Sequence, residues 1–545
     1  MNNTPLDIES AHNLPAAADD KYEIDHLDKV RPVPDVVVND QEAAGYIDPT
    51  LIISEAENTR MRRKIHRRTA SIFPLICIGY LCQALDKGTL TSASIMGWIN
   101  DVGAVGQDYS LTGTLLWCGI ISGEPLANQC VRRLPLRQLL VGGIVVWSGL
   151  LFGLGFSLSM PPVLAIRFLL GFFESLVGPT LVALMVQWYR VEEQPFVTSV
   201  WQSMLGTSVA ISNLLAYGFY HIEDEVLHSW QWLHITIALI SLISAILIYI
   251  FLPDSPTKAR WASEHEKKLL VERVRSNNQG LKQKHWNSGQ ALEAFIDPFT
   301  YCLFFLCFFN CLVVGGINTF SGLLITNAFG FSTLNAQLIS IPLGVMGIIS
   351  FLLIGYVTVF ALAFVGIMVD PGSHSWLIKK TNETCLCMVG FAIPNMAGTI
   401  VLLTVEQNDK TKGGLVAAFY LMQLFGACYP AVLMLLSRNS AGQTKKSITY
   451  AVTFIGWSSG NAIAPQIFQS KWAPRYLHSL HIHLALYGCF IIAALLTRTL
   501  LWRRNKKTLA AKEARRAAEG DEFIENLHAF EDLTDLKNPD FVYSL

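Results

Sequence analysis

The chain has 545 residues, of which 52% are apolar and only 15% charged, and its net charge is -1. A soluble globular domain carries roughly 25% charge, so the composition sets this chain apart from soluble enzymes and binding modules, and its near-neutral balance gives no electrostatic reason to expect nucleic acid. What charge there is gathers in residues 1–68, 253–297 and 503–545, the parts expected to face water.

Residues 1–68 are expected as a disordered cytoplasmic tail, polar and acidic-leaning up to about Thr59 and without an apolar stretch that a signal peptidase would recognise. A helix needs roughly 20 apolar residues to cross a hydrocarbon core about 30 Å thick. Such runs come in two groups. The first predicts spans at Ser71–Leu90, Leu111–Cys130, Leu139–Leu158, Pro162–Val186, Val197–Tyr220 and Leu233–Leu252. The second predicts Phe299–Asn327, Leu338–Tyr356, Cys385–Thr404, Gly413–Leu436, Ile448–Phe468 and His483–Trp502. The expected architecture is an all-α membrane protein with twelve transmembrane helices in two six-helix bundles, residues 69–252 and 298–502, joined by a cytoplasmic loop, 253–297, and followed by a cytoplasmic tail, 503–545.

Arg60, Arg62, Arg63, Lys64, Arg67 and Arg68 precede the first span, and Arg132, Arg133 and Arg137 lie between the second and third, whereas residues 91–110 carry Asp101 and Asp108 without Lys or Arg. Positive loops stay in the cytoplasm, which puts both termini and the central loop there. One region breaks the pattern. Residues 357–376 stretch the eighth apolar run beyond one helix without supplying a second, and their removal would join Tyr356 directly to Leu377 ahead of a basic turn at Lys379 and Lys380. They are expected to be an insertion, with a tilted or re-entrant segment as the alternative.

Ionisable and amide side chains inside a span are costly and mark candidate sites. In the fourth span Arg167 and Glu174 are seven residues apart, hence on one face roughly 10 Å from each other. A buried Arg can hold a carboxylate through two hydrogen bonds, and a buried Glu can carry a proton; the competing reading is a structural ion-pair network. In the first span Gln83 and Asp86 or Lys87 share a face with Gly79, with Asp86 placed near the outer end and open either to a role in proton coupling or to a helix-end charge pair. Milder polar stripes include Gln202, Asn318, Tyr420, and Trp457 with Asn461, each explicable as glue between helices or as pocket lining.

Two signatures of other classes are absent: there is no GxxxxGK[ST] and no HExxH string, so neither an ATP-driven pump nor a zinc-dependent hydrolase is expected. The eleven cysteines are scattered singly, and His478, His481 and His483 are poorly spaced for one metal. No metal and no cofactor is expected.

Several strings together resemble the major facilitator superfamily and, within it, the fungal allantoate permease family of anion:cation symporters. They are Leu85-Asp-Lys-Gly-Thr-Leu90 with Ser94-Ile-Met-Gly-Trp98, the Pro125-x-x-Asn128 to Arg132-Arg-Leu-Pro135 loop, Arg167-Phe-Leu-Leu-Gly-Phe-Phe-Glu174, Gly315-Gly-Ile-Asn-Thr-Phe320, Asn439-Ser-Ala-Gly-Gln-Thr-Lys-Lys446 and Gly460-Asn-Ala-Ile-Ala-Pro465. The resemblance covers about residues 60–510. It implies a two-bundle fold with a midplane site and alternating access, driven by the proton gradient, with small carboxylates, ureides or vitamins as substrates. It departs from the superfamily pattern in the loop between spans two and three, where Asn128 and Gln129 stand in the neighbourhood of the acidic residue.

The expected function is therefore proton-coupled import of a small organic anion across the plasma membrane by a monomer whose partners are the lipid bilayer, the substrate and protons. Arg167, Gln202, Asn318, Tyr420, Trp457 and Asn461 are the candidate substrate residues, and Glu174 and Asp86 the candidate proton carriers. An exporter of drugs or secondary metabolites on the same fold, or a nutrient sensor that does not transport, are the alternatives.

Overall fold

The computed structural model describes residues 72–190, 193–222, 226–275, 287–367, 383–519 and 533–545; the expected N-terminal tail lies outside them. In the first half, α1 (Ile72–Ala93), α2 (Asp108–Arg133), α3 (Leu136–Gly155), α4 (Met160–Glu174) with α5 (Val177–Trp188), α6 (Gln194–Phe219) and α7 (Ser229–Phe251) cross in turn. Two polar helices, α8 (Glu264–Arg275) and α9 (Ser288–Ile296), lead to the second half. There α10 (Pro298–Leu323), α11 (Thr333–Ile367), α12 (Thr384–Thr404), α13 (Lys412–Met422) with α14 (Cys428–Asn439), α15 (Gln443–Ile467) and α16 (Leu477–Glu519) follow.

Within the first half α4 packs on α2, α7 on α3, and α6 on α1; within the second, α10 packs on α15 and α16, and α12 on α16. The halves meet where α6 lies along α11 and α2 along α15. The membrane itself supplies no hydrophobic drive between helices, so close approach is built from small residues. A Cβ on Gly206 of α6 or on Gly344 of α11 would run into the other glycine's carbonyl, which fixes the contact between the halves; Gly119 and Gly171 do the same for α2 and α4. Among the described residues seven spans are long and apolar enough to cross by length and composition alone, and α1, α2, α6, α11 and α15, all packed at the junction of the halves, are not among them.

The first span runs beyond Leu90. It continues through a π-turn at Ser94–Trp98 into a last turn, Ile99–Asp101, and Gly97 at the bend has φ of 101°, a region where a side chain would be strained. The polar residues that look like a loop are used by the helix: Ser94 Oγ donates to the Thr91 carbonyl at 2.7 Å, and Thr91 Oγ1 to the Asn318 carbonyl at 3.2 Å. As a result Asp86 and Lys87 sit in mid-helix rather than near its end. The tenth span is interrupted by a tight turn, Gln423–Ala427, whose backbone is satisfied from both sides: Asn310 Nδ2 donates to the Phe425 carbonyl at 2.7 Å, and Phe425 N donates to Asn395 Oδ1 at 3.1 Å. Irregular backbone is tolerated at membrane depth only with such partners.

Helix α11 continues without a break through residues 357–367, giving 35 residues, and 368–376 lie outside the described residues. At the other end of the chain, α16 runs on past Trp502, and residues 533–545 fold back onto the base of the second half. Asp535 lies 2.8 Å from Lys445 Nζ, which also meets Asp297 at 2.8 Å and Glu293 at 3.1 Å. Tyr543 Oη donates to Asp535 at 3.0 Å, and Asn439 exchanges two hydrogen bonds with the Ser544 backbone, at 2.9 and 2.6 Å.

Candidate functional site

Helix α4 buries a stripe made by Met160, Val163, Arg167, Leu170, Gly171 and Glu174, a spacing of three and four residues that defines one face. Gly171 on that stripe brings α2 to backbone contact, while Arg167 and Glu174 project toward α1. Arg167 Nη1 lies 3.7 Å from Asp86 Oδ1. Glu174 is ion-paired with Lys87. Two cations and two carboxylates thus form a quartet in the middle of the first half. Its members differ in access: the side chains of Arg167, Asp86 and Glu174 are 1, 2 and 2% exposed, and that of Lys87 is 25%.

The quartet is not saturated. Both Asp86 oxygens, Arg167 Nε and Nη2, and Glu174 Oε2 are buried without a hydrogen bond. Buried charges are retained only when paired, and this set has pairing by charge with hydrogen-bonding capacity left over, as a site that exchanges partners requires.

From Lys87 the site extends to the other half. Its ammonium lies 5.9 Å from the centre of the Trp117 ring on α2, which meets Trp457 of α15 edge-on at 4.7 Å; Trp457 in turn stacks on Tyr429 of α14 at 5.5 Å. Beyond this level the halves are stitched together. Tyr109 Oη donates to the Thr319 carbonyl at 2.6 Å, Thr114 Oγ1 to the Ala462 carbonyl at 2.8 Å, Gln466 Nε2 to Thr114 Oγ1 at 2.9 Å, and Thr333 Oγ1 to the Ile95 carbonyl at 3.3 Å. All four bonds lie on the side of Lys87 away from Ile72, where α1 begins.

Of the residues singled out from sequence, Asp86, Arg167 and Glu174 come together, and Trp457 joins them through Trp117. The others stand apart. Gln202 Oε1 accepts from Tyr80 Oη at 3.0 Å between α6 and α1; Tyr420 Oη donates to the Ile339 carbonyl at 2.7 Å; Asn461 Nδ2 bonds its own helix at the Trp457 carbonyl, 2.9 Å, and packs against Gly315. Asn318 has an exposed side chain and uses its carbonyl to accept from Thr91. Lys87, named from sequence only as the alternative to Asp86 on the face of Gln83, is a member of the site, and Trp117 and Tyr429 are the members that sequence reasoning left out. Glu124 was also passed over: it lies on α2 one turn before Asn128, whose Nδ2 donates to it at 3.2 Å. Among the described residues no three His, Cys, Asp or Glu side chains assemble as a metal site.

The family model described as Major Facilitator Superfamily matches residues 76–465. The chain is 30% identical to an allantoate permease of Saccharomyces cerevisiae over 90% of its own length and 88% of the relative's. It is 28% identical to a thiamine pathway transporter of the same yeast over 87% and 84%. Its fold matches a crystal structure of a D-xylose–proton symporter with a TM-score of 0.55 at 17% identity, covering 78% of this chain and 96% of that one. Two six-span halves, small-residue crossings and a matching family model agree, and the chain belongs to the major facilitator superfamily, within its fungal allantoate permease family.

Proposed function

We propose that this transporter imports a small organic anion together with protons across the plasma membrane, with both chain termini in the cytoplasm. The observation that carries the reading is the charge quartet: Arg167, Asp86 and Glu174 are buried between α1 and α4, and partly exposed Lys87 reaches Trp117, which meets Trp457 of the other half. Intramembrane charge of both signs suits an anion that travels with a proton, since one group attracts the substrate and another holds the proton. The orientation is supported by the basic residues Arg133, Arg137, Arg260 and Lys446, which stand at or just beyond those helix ends that lie on the same side of the fold as Ile72, the start of α1. Allantoate, named for one relative, is a carboxylate and provides the probe.

The cations of the quartet are assigned to anion attraction, with Arg167 adding its charge from behind Asp86, Glu174 and Asp86 to proton handling, and Trp457 to the wall of the pocket. Uptake of labelled allantoate and other carboxylates by cells lacking their own permeases, compared at acid and neutral external pH, tests the proposal. Acid-stimulated uptake that Arg167→Ala abolishes is the expected result. A transporter at the cell surface that moves none of these anions, or moves them independently of pH, refutes it.

A further inference from the structure

We propose that Lys87 is the cation that an incoming anion engages, and that its departure from Glu174 is what makes Glu174 take up a proton. The inference rests on the symport reading above and assigns the coupling step within it. Arg167, expected from sequence to attract the anion, is enclosed at 1% exposure behind Asp86, whereas Lys87 keeps 25% and lies beside Trp117 at the boundary of the two halves. An anion that arrives between the halves therefore meets the Lys87 ammonium first.

The charges then dictate the rest. Empty, the quartet is neutral, two cations against two carboxylates. A monovalent anion makes it negative and draws Lys87 away from Glu174, whose Oε2 has no hydrogen bond to fall back on. Around Glu174 the charged and titratable groups are Lys87, Asp86 and Tyr80 of α1 and Arg167 on its own helix, while α2 faces α4 through Gly119 and Gly123. With Arg167 committed to Asp86, the Gln83 side chain is the partner left to Glu174, a neutral one, and a buried carboxylate without a cation is held protonated. A proton from the water on the side of anion arrival adds to a Glu174 carboxylate oxygen and restores neutrality. When the anion leaves on the opposite side, Lys87 returns and the proton follows the anion out. Neither ion crosses alone because either alone leaves a net charge in the membrane.

The test measures net uptake and exchange of labelled allantoate by the full-length chain in proteoliposomes, for wild type, Glu174→Gln, Lys87→Gln, Lys87→Arg and the double variant K87Q/E174Q. E174Q is expected to keep exchange of internal for external allantoate while its acid-driven accumulation vanishes. K87Q is expected to raise the half-saturation concentration about tenfold or more and to lose accumulation, with K87R retaining both in part. The double variant removes both charges of the pair, so any folding defect of K87Q is relieved while weak binding persists. Wild-type half-saturation in the double variant, or acid-driven accumulation by E174Q, overturns the inference and leaves the symport reading standing. A wild type that does not accumulate allantoate under an acid gradient sinks the symport reading, and this inference with it.

Discussion

Arg167 and Glu174 stand two turns apart on α4, yet they engage adjacent residues of α1, Asp86 and Lys87. Neighbouring positions on a helix point about 100° apart, so one of them can turn inward toward Arg167 while the other turns to the junction of the halves. Burial follows that split, with Asp86 enclosed and Lys87 partly exposed. The quartet is thus one fixed pair and one accessible pair on the same two helices.

Removing Arg167 should damage the fold as well as transport. Its loss leaves Asp86 buried without a cation, a situation that typically costs about 3–5 kcal/mol. Arg167→Ala is expected to lower the thermal unfolding midpoint of the purified protein and to abolish uptake. In Arg167→Ala/Asp86→Ala the uncompensated charge is gone, so the midpoint should recover while uptake stays absent. A double variant as unstable as the single one would show that Arg167 acts through other contacts.

Two glycine crossings separate stability from movement. Gly171 closes α2 on α4 inside one half, and Gly206 closes α6 on α11 between halves. Gly171→Leu should overpack a core by about 1–3 kcal/mol and reduce the amount of folded protein. Gly206→Leu should leave each half intact and stop transport, because the halves can no longer approach. Unfolding midpoints together with allantoate uptake distinguish the two, and equal destabilisation by both substitutions would contradict the assignment.

Much of this was legible in the chain. Apolar runs of membrane length located the spans because a bilayer sets one required length, and the seven-residue step from Arg167 to Glu174 forced a shared face. Depth was harder to read. Apolarity fades after Leu90, so the first helix appeared to end there and Asp86 seemed half in water; the helix continues because Thr91 and Ser94 satisfy themselves on carbonyls. Polar stripes gave no way to tell pocket lining from a bond to a neighbouring helix, which is why Gln202 and Tyr420 looked like Trp457. Residues 533–545 read as a solvated tail because the partners of Asp535, namely Lys445 and Arg504, are far away in sequence.

The docked C-terminal segment should respond to pH. Three carboxylates, Glu293, Asp297 and Asp535, face two cations, Lys445 and Arg504. Burial raises the Asp535 carboxyl above the usual range despite Lys445. Burial also acts on Asp297, but hydrogen bonds from Arg504 and Lys445 outweigh it and hold that group below the usual range. A raised folded-state value means that the Asp535 contribution is complete below about pH 3.9, the unfolded value, and is lost as pH rises through the folded one. The Asp297 contribution is present above about pH 3.9 and is lost only as pH falls through its depressed value. Between neutral and mildly acid pH the Asp535 effect therefore dominates, and docking tightens on acidification. Amide hydrogen exchange across 533–545, corrected for intrinsic rates, should show more protection at mildly acid pH in wild type and little pH dependence in Asp535→Asn. Protection that rises with pH would reverse the sign of this argument.

Helix α11 has 35 residues, about 52 Å at roughly 1.5 Å per residue, where a span needs about 30 Å. Residues 357–367 supply the last eleven of these, and without 357–376 the sequence would run from Tyr356 through Leu377 to the basic pair Lys379 and Lys380. A helix that overshoots the bilayer must tilt, kink or carry apolar surface into water. The deletion of 357–376 is accordingly expected to reach the cell surface in at least the amount of the full-length chain and to take up allantoate at least as fast, measured per molecule at the surface. The crossing at Gly206 and Gly344 lies before the deleted stretch, so the junction of the halves is left in place. If the shortened protein is retained inside the cell while the full-length chain transports, the segment is a working part of the fold, and the long helix is held by contacts that the shorter one lacks.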